Sequence, residues 1–156
     1  MQASRTIAGA LTPAELAAWR GLLRLHARLV RELDLALQAR EGITLSEYEV
    51  LIHLADTPGG RMRMTELAAA LVVTQSGVTR IVDRLARDGL VVRERCEEDR
   101  RGWYATITAA GLTLLERARP AHRDDVRERF LRHFTPRELE LLGGFWERLE
   151  PAQPQD

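Results

Sequence analysis

The stretch from Thr74 to Leu85 reads Thr-Gln-Ser-Gly-Val-Thr-Arg-Ile-Val-Asp-Arg-Leu and has the apolar spacing of a short helix with one buried face. Thr74 is a suitable N-cap for it, and Gly89 a suitable residue just past its end. The spacing predicts a buried face made of Val78, Ile81, Val82 and Leu85. The opposite face is polar, and its members are Gln75, Ser76, Thr79, Arg80, Asp83 and Arg84.

The polar face of this helix carries side chains that can read DNA bases. Gln addresses adenine edges, Arg addresses guanine edges, and Ser or Thr bonds either bases or phosphates. Any amphipathic surface helix also has a polar face, so this feature alone leaves a simple solvated helix equally open. Gly77 favours a close partner, because glycine weakens a surface helix by about 1 kcal/mol relative to alanine. A missing side chain there makes sense if the backbone must approach something.

The flanking segments predict a mainly α fold with one small β-hairpin. Three S/T-x-x-E boxes, starting at Thr12, Ser46 and Thr135, predict helix N-termini. Apolar spacing predicts five helices besides the one that starts at Thr74. Before it come a long first helix over about 13–40, a second that starts at the Ser46 box and a short third around Leu67. After the hairpin come a fifth helix from about 109 through Phe134 and a sixth that carries Trp146. Pro120 is expected to kink or shorten the fifth helix. Residues 90–95 and 103–107 are β-branched or aromatic runs that predict a hairpin, so the whole order indicates a winged helix-turn-helix.

The connection between the two predicted strands ends in Asp99-Arg100-Arg101-Gly102, which is more basic than a turn requires. Two adjacent arginines at a protruding tip suit a narrow minor groove or its flanking phosphates. Asp99 can hold one guanidinium through a charge-assisted hydrogen bond. A solvated charged loop is the alternative interpretation of this segment.

Together these motifs resemble the MarR family of bacterial transcriptional regulators. The residues that carry the resemblance are Leu67-Ala68, the run from Arg80 to Leu85, Gly89-Leu90-Val91, Asp99-Arg100-Arg101 and Ile107-Thr108-x-x-Gly111. The D-x-R pattern followed by a strand and T-x-x-G is the most recognisable feature of that family. The one small departure is Ile107, where the family usually has Leu. The resemblance extends from Thr12 to Leu149.

The resemblance implies a homodimer in which the first, fifth and sixth helices join two winged modules above an inverted-repeat operator. Within a single domain of residues 1–156, it implies dimerisation helices at 13–40 and 109–150, a winged module at 46–108 and a tail at 151–156. The residues that it assigns to DNA are Gln75, Ser76, Thr79, Arg80, Arg84, Asp99, Arg100 and Arg101. The first and sixth helices also carry more large apolar residues than one small module can cover, which favours a dimer independently. The alternative is that both helices pack only on their own module.

Members of this family commonly release DNA when a small aromatic or anionic molecule binds between the dimer helices and the module. Aromatic walls with one or two polar anchors are usual in such sites. The candidates are Trp19 and His26 on the first helix and Tyr48 and His53 on the second, although each also suits a core or interface position. The expected protein is therefore a repressor that a small effector releases.

Cys96 is the only cysteine of the chain and leaves a redox-responsive regulator as an alternative. Neighbouring arginines favour a reactive thiolate, whereas Glu94, Glu97, Glu98 and Asp99 oppose them. The thiol-sensing members of the family carry their cysteine near the first helix, which has none here. A plain structural cysteine is the favoured interpretation.

Composition excludes several other classes of protein. The 23 basic and 23 acidic residues cancel, so any attraction to DNA must arise from local arrangement. The four histidines lack metal-ligand spacing and no nucleophile motif or phosphate-binding loop occurs, so we expect no metal, no cofactor and no enzyme. No apolar run approaches the ~18–20 residues of a membrane span and no secretory signal is visible, so a cytoplasmic protein is expected. A helical dimeric interaction protein without DNA binding is the rival from another class.

Overall fold

The computed structural model describes residues 11–71, 73–96 and 102–149. In these residues the helices are α1 (Pro13–Glu41), α2 (Leu45–Asp56), α3 (Met64–Ala70), α4 (Gln75–Arg87), α5 (Ala109–Arg129) and α6 (Pro136–Glu147). The strands are β1 (Arg61–Arg63), β2 (Val91–Arg95) and β3 (Trp103–Ile107), and two short 3-10 turns span Pro58–Gly60 and Leu131–His133. The mainly α fold with a β-hairpin wing is therefore confirmed.

Two of the three predicted capping boxes start helices as expected, and the third is displaced by two residues. Thr12 and Thr135 cap α1 and α6, each with the glutamate three residues later. The prediction that Ser46 caps α2 is wrong, because the N-cap is Thr44. The Thr44 amide donates to Glu47 Oε2 at 2.7 Å, and the Glu47 amide donates to Thr44 Oγ1 at 3.2 Å. Both spacings fit the same motif, so the motif alone could not choose between them.

The sheet has one more strand than the sequence predicted. Its strand order is β1-β3-β2, and both neighbouring pairs are antiparallel. Thr106 of the central strand β3 lies between Arg61 of β1 and Val92 of β2. The hairpin of β2 and β3 was predicted. The strand β1 was missed because three residues, Arg-Met-Arg, show no alternation long enough to recognise.

The helix α5 passes through Pro120 without interruption and ends earlier than predicted. It is one element from Ala109 to Arg129, so Pro120, which was expected to kink or shorten the helix, does not end it. The prediction that Phe130 and Phe134 continue the helix is also wrong, because Phe130 has φ −131° and begins a 3-10 turn. The two rings pack edge to face with centroids 5.1 Å apart.

The core lies between α2, α3, α4, the sheet and the first half of α5. Its largest fully buried side chains are Leu51, Leu54, Leu67, Leu85, Leu115, Val50, Val78, Val82 and Val91. The four predicted core residues of α4 are all buried. By contrast, α1 contributes only Leu37 to the buried set, and no residue of α6 in the described chain is buried. The winged module is thus packed, while most of α1 and α6 is not.

The junction between α4, the sheet and α5 is made by Thr108 and Gly111. The Thr108 hydroxyl donates to the Gly89 carbonyl at 2.7 Å and accepts the Gly111 amide at 3.1 Å as the N-cap of α5. The Thr108 amide also donates to the Leu90 carbonyl at 3.0 Å. A β-carbon at Gly111 would lie 2.3 Å from that Leu90 oxygen. The T-x-x-G motif is therefore the contact that fixes where α5 leaves the sheet.

We expect Gly111→Ala to lower the free energy of unfolding by about 3 kcal/mol, because a backbone oxygen cannot move aside as a flexible side chain can. Gly21→Ala is the matched control: nothing lies within 4 Å of its β-carbon, and it sits inside α1. There alanine should be neutral or stabilising by up to about 1 kcal/mol. Urea unfolding followed by circular dichroism measures both. Equal stability of the wild type and Gly111→Ala would contradict this account of the junction.

Candidate nucleic-acid interface

The outer face of α4 presents the predicted polar residues to solvent. Gln75, Ser76 and Arg80 are exposed, and Thr79 is half-buried. The Thr74 hydroxyl caps the helix by accepting the Gly77 amide at 3.1 Å, and Ser76 Oγ lies 3.2 Å from the same oxygen. These side chains therefore stand together at the amino-terminal end of α4.

The β-carbon that Gly77 lacks would lie 3.2 Å from the capping Thr74 hydroxyl. Glycine therefore also keeps the cap of α4 uncrowded, in addition to the close approach to a partner that the sequence suggested. Thr79 Oγ1 donates to the Gln75 carbonyl at 2.9 Å, which leaves its lone pairs available to a donor.

Arginines continue this face toward the carboxyl end of α4. Arg80, Arg84 and Arg87 line a shallow surface cleft together with Asp83. Asp83 is engaged elsewhere, because its Oδ1 lies 2.5 Å from Arg93 Nη1 of β2. Among the described residues Arg80 has no ion-pair partner, so its charge is uncompensated. Arg87 was not predicted as a site residue, although it lies seven residues after Arg80, a helical spacing that places both on the same face.

Arg84 is the exception within this stripe. Its Nε lies 3.0 Å from Glu47 Oε1 of α2, and the Glu47 side chain is almost completely buried. The structure therefore ties one of the predicted DNA-contacting side chains to the frame of the module.

A groove separates α4 from the hairpin, and the sequence did not predict it. It is lined by Arg63, Met64, Thr65, Gln75, Thr79, Arg93, Gly102 and Trp103. Arg93 and Arg95 lie over the Trp103 ring, with guanidinium carbons 4.8 and 5.2 Å from its centroid. Stacking of this kind holds cations in place at an exposed site. No sequence signal connects α3, α4 and β3 here, since the contact exists only in the fold.

The other face of β3 repeats this pattern. Arg61 lies over the Tyr104 ring at 3.9 Å, and Arg63 Nε donates to the Tyr104 hydroxyl at 3.2 Å. Trp103 and Tyr104 are consecutive residues of a strand, so they point to opposite faces of the sheet. The base of the hairpin is thus lined by arginines on both sides.

The predicted wing residues Asp99, Arg100 and Arg101 lie outside the described residues. What the structure describes is the base of the connection, where the Cys96 amide donates to the Gly102 carbonyl at 2.9 Å. Cys96 itself is buried, and Arg63 Nη2 lies 3.5 Å from its sulfur. A buried thiol is poorly accessible to oxidants.

The four candidate ligand residues do not form one site in the single chain. Trp19 and His26 are exposed on α1, whereas Tyr48 is buried and His53 half-buried on α2. Trp19 precedes the buried Leu37 by 18 residues of α1, which is about 27 Å at the helical rise. Within the described part of the chain, Tyr48 alone of these four meets a second aromatic side chain, which was not among the predicted ligand residues.

That side chain is His122 of α5, whose ring centroid lies 4.5 Å from that of Tyr48 at 50°. Its Nδ1 is buried and has no hydrogen-bond partner among the described residues. Burial lowers the pKa of His122, and the nearby Asp125 carboxylate opposes this. Burial likewise raises the pKa of the Tyr48 hydroxyl, with Arg119 opposing. In both cases burial between α2 and α5 disfavours the charged form of the group.

Three helices, a three-stranded antiparallel sheet and an exposed α4 face define a winged helix-turn-helix, a class of DNA-binding modules. A family model described as MarR family matches residues 41–102. The chain belongs to the MarR family of transcriptional regulators, and its fold and relatives make it a DNA-binding regulator. No helix of the described residues has the length and apolarity needed to cross a bilayer, and no cluster of ligating side chains in those residues could hold a metal ion.

Solved structures and a curated relative agree with this assignment. AbsC, a MarR family regulator from Streptomyces coelicolor, is 35% identical, with 90% of this chain and 94% of that chain covered and a TM-score of 0.83. Sco3205 from the same organism, solved in complex with DNA, is 34% identical over 94% of this chain and 96% of that chain, with a TM-score of 0.86. The transcriptional repressor YetL of Bacillus subtilis is 31% identical over 115 residues, 71% of this chain and 68% of YetL. These similar proteins are transcriptional regulators rather than enzymes.

The lowered pKa of His122 predicts a loss of stability in mild acid. As the pH falls through about 6.5, the unfolded chain binds a proton that the buried ring resists, so the free energy of unfolding decreases until the folded pKa is passed. His122→Phe keeps an aromatic ring against Tyr48 and should lose less stability between about pH 7.5 and about pH 5.5 than the wild type. His133→Gln, at an exposed position, is the control. Urea unfolding at both pH values tests this, and an identical loss in wild type and His122→Phe would refute it.

Proposed function

We propose that the protein is a homodimeric, sequence-specific repressor that binds an inverted-repeat operator through the exposed face of α4. The observation that carries the proposal is the uncompensated Arg80 beside Gln75, Ser76 and Thr79 at the amino-terminal half of that helix. In helix-turn-helix proteins this half of the recognition helix faces the base edges of the major groove. The similar Sco3205 was solved in complex with DNA, which supports the same use of the fold here.

Different residues of this surface have different tasks in the proposal. Arg80 donates two parallel hydrogen bonds to a guanine, and Gln75 addresses an adenine. Arg84 and Arg87 continue the basic stripe along the same face. Arg100 and Arg101, held by Asp99, serve the minor groove or its phosphates, as the resemblance implies. Two such modules related by a twofold axis require half-sites about 34 Å apart.

Replacing Arg80 by alanine tests the reading of bases. Arg80→Ala should weaken binding by about 1–3 kcal/mol and relax the preference at one base pair of each half-site. Fluorescence anisotropy on a duplex selected by the wild-type protein from a random library gives the affinity, and a parallel selection gives the preference. Arg127→Ala removes the charge of another exposed arginine, on α5, and is the control. Equal losses on selected and random DNA would argue against a base-reading Arg80.

The salt dependence of wild-type binding to DNA also distinguishes the proposed regulator from a helical interaction protein. A DNA-binding regulator loses affinity steeply as the salt concentration rises, because phosphate contacts release counterions. A helical interaction protein without DNA binding would show no salt-dependent association with either duplex.

The dimer is supported by large apolar side chains that the single chain leaves exposed on α1 and at α6. They include Trp19, Leu22, Leu23, Val30 and Leu35 on the first helix, and Leu141, Phe145, Trp146 and Leu149 at the last. An apolar surface spread over two elongated elements is typical of an interface. The proposed dimerisation ranges 13–40 and 109–150 contain these residues, and the winged module at 46–108 stays free to bind DNA.

We expect Trp146→Arg to dissociate the dimer, because an unpaired charge would be forced into an apolar contact. Light scattering coupled to size exclusion at micromolar concentration measures the mass. Val92→Arg introduces the same charge at a comparably exposed apolar residue of β2 and should leave the mass unchanged. A wild-type monomer, or a dimer that persists in Trp146→Arg, would contradict the proposed dimer interface.

Repression and its release form the finer part of the proposal. The curated relative YetL is named a repressor. We place the contact of a small aromatic or anionic effector near Tyr48 and His122, because the Nδ1 atom of His122 is buried without a hydrogen-bond partner among the described residues. Trp19, His26 and His53 remain candidates for effector contacts contributed by other parts of the dimer. A compound that both raises the melting temperature and lowers operator affinity would support release.

A further inference from the structure

Glu47 is the one charged residue that is buried among those the structure describes, with 6% of its surface exposed. A buried carboxylate is costly unless it is paired and hydrogen-bonded. Both of its oxygens have partners: Oε2 accepts the Thr44 amide at 2.7 Å, and Oε1 lies 3.0 Å from Arg84 Nε. The carboxylate therefore joins the start of α2 to the last turn of α4.

Capping alone does not require this burial or this partner. The chain has two further capping boxes of the same type, and their glutamates, Glu15 and Glu138, are exposed. Each accepts its own N-cap amide at 2.7 Å, as Glu47 does, but neither forms an ion pair in the described chain. The contact between Glu47 and Arg84 is thus an addition to the capping motif, specific to the helix that faces the recognition helix.

The same end of α2 is also tied to α1. The Leu45 amide, which is the first of α2, donates to Asp34 Oδ1 of α1 at 2.7 Å. Asp34, the amino-terminal turn of α2, Glu47 and Arg84 therefore form a continuous polar connection from α1 to α4. In the proposed dimer α1 belongs to the dimerisation helices, so this connection runs from the dimer frame to the DNA-reading helix.

We propose that Glu47 is a positioning residue for DNA recognition: through Arg84 it fixes the orientation of α4 relative to α1 and α2, and thereby the half-site spacing that the dimer accepts. The proposal rests on the proposed function as an operator-binding dimer. It gives Arg84 a task different from that of Arg80, since its guanidinium is held by the frame of the module. Arg84 then contributes to affinity chiefly through Glu47.

A double-mutant cycle tests this role with variants that keep the cap. Gln is accepted at the last position of the box, so Glu47→Gln retains the Thr44 contact through its amide oxygen. Its NH2 group then replaces the charged acceptor that faces Arg84. Arg84→Met removes the guanidinium and keeps an apolar stem. Affinity is measured by anisotropy on the duplex that the wild-type protein selects from a random library, and on versions of it with one base pair added or removed between the half-sites.

Arg84→Met alone should weaken binding to the selected duplex about tenfold, and should weaken it less than about threefold when Glu47→Gln is already present, because the two side chains act as one unit. Both single variants should discriminate less than the wild type between the selected spacing and the altered spacings. The salt slope should stay that of the wild type in Arg84→Met, since no phosphate contact is lost. A loss of stability alone would change the melting temperature and leave the spacing preference intact.

Glu41→Gln is the matched control, because the Glu41 side chain, which is 10% exposed, also pairs with an arginine, Arg117, but between α1 and α5 and away from α4. It should leave the spacing preference unchanged. Additive losses in the cycle, or a salt slope reduced by about one unit in Arg84→Met, would overturn the positioning role and make Arg84 a phosphate contact. In that result the wild type still binds DNA, whereas a wild type that binds no duplex overturns the proposed function itself.

Discussion

The carbonyl oxygen of Leu90 is the constraint on which the arrangement of the module depends. It accepts the Thr108 amide, and it lies so close to Gly111 that no other residue has room there. The Thr108 hydroxyl closes the same junction by bonding the Gly89 carbonyl and capping α5. The end of α4, the start of the hairpin and the direction of α5 are therefore fixed by one cluster of backbone contacts. This is the physical content of the T-x-x-G motif.

The arrangement of charge explains how a chain with no net charge can present a basic surface. Many acidic side chains are paired with arginines along α1 and α5, as Asp125 is with Arg40 and Arg129. Asp83, which lies on α4 itself, is engaged by Arg93 of the sheet. On the α4 face, Arg84 is paired with Glu47, whereas Arg80 and Arg87 have no ion-pair partner among the described residues. Local pairing, rather than composition, decides the sign of that surface.

The helix α2 makes contacts with α1, α4 and α5. Its first turn bonds α1 and α4 through the Asp34 and Glu47 carboxylates, and its Tyr48 packs on His122 of α5. Glu47, which forms the ion pair with Arg84, and Tyr48, which contacts the His122 ring, are consecutive residues. A molecule that altered the packing of Tyr48 would therefore act beside the contact that holds α4, which gives effector release a short physical route in the proposed regulator.

The sequence by itself determined the elements whose signals are local. The buried and polar faces of α4, the caps at Thr12 and Thr135, and the hairpin follow from spacing within one segment, because a helix or strand repeats its exposure at a fixed period. The motif residues Thr108 and Gly111 were also recognisable before their contacts were known. The polar face indicated Gln75, Ser76, Thr79 and Arg80 as candidates for DNA contact, with a solvated helix left equally open, and these side chains lie together on α4.

Only the tertiary structure decided the features that join distant segments. The strand β1 forms because it can pair with the edge of β3. Thr44 rather than Ser46 caps α2, because the Glu47 carboxylate is held by the Thr44 amide and by Arg84. The pairing of Tyr48 with His122 joins residues more than seventy positions apart. Such contacts leave no period in the sequence. They form because a polar group that packing buries is costly unless it is hydrogen-bonded or paired, and only the folded chain brings its partner close.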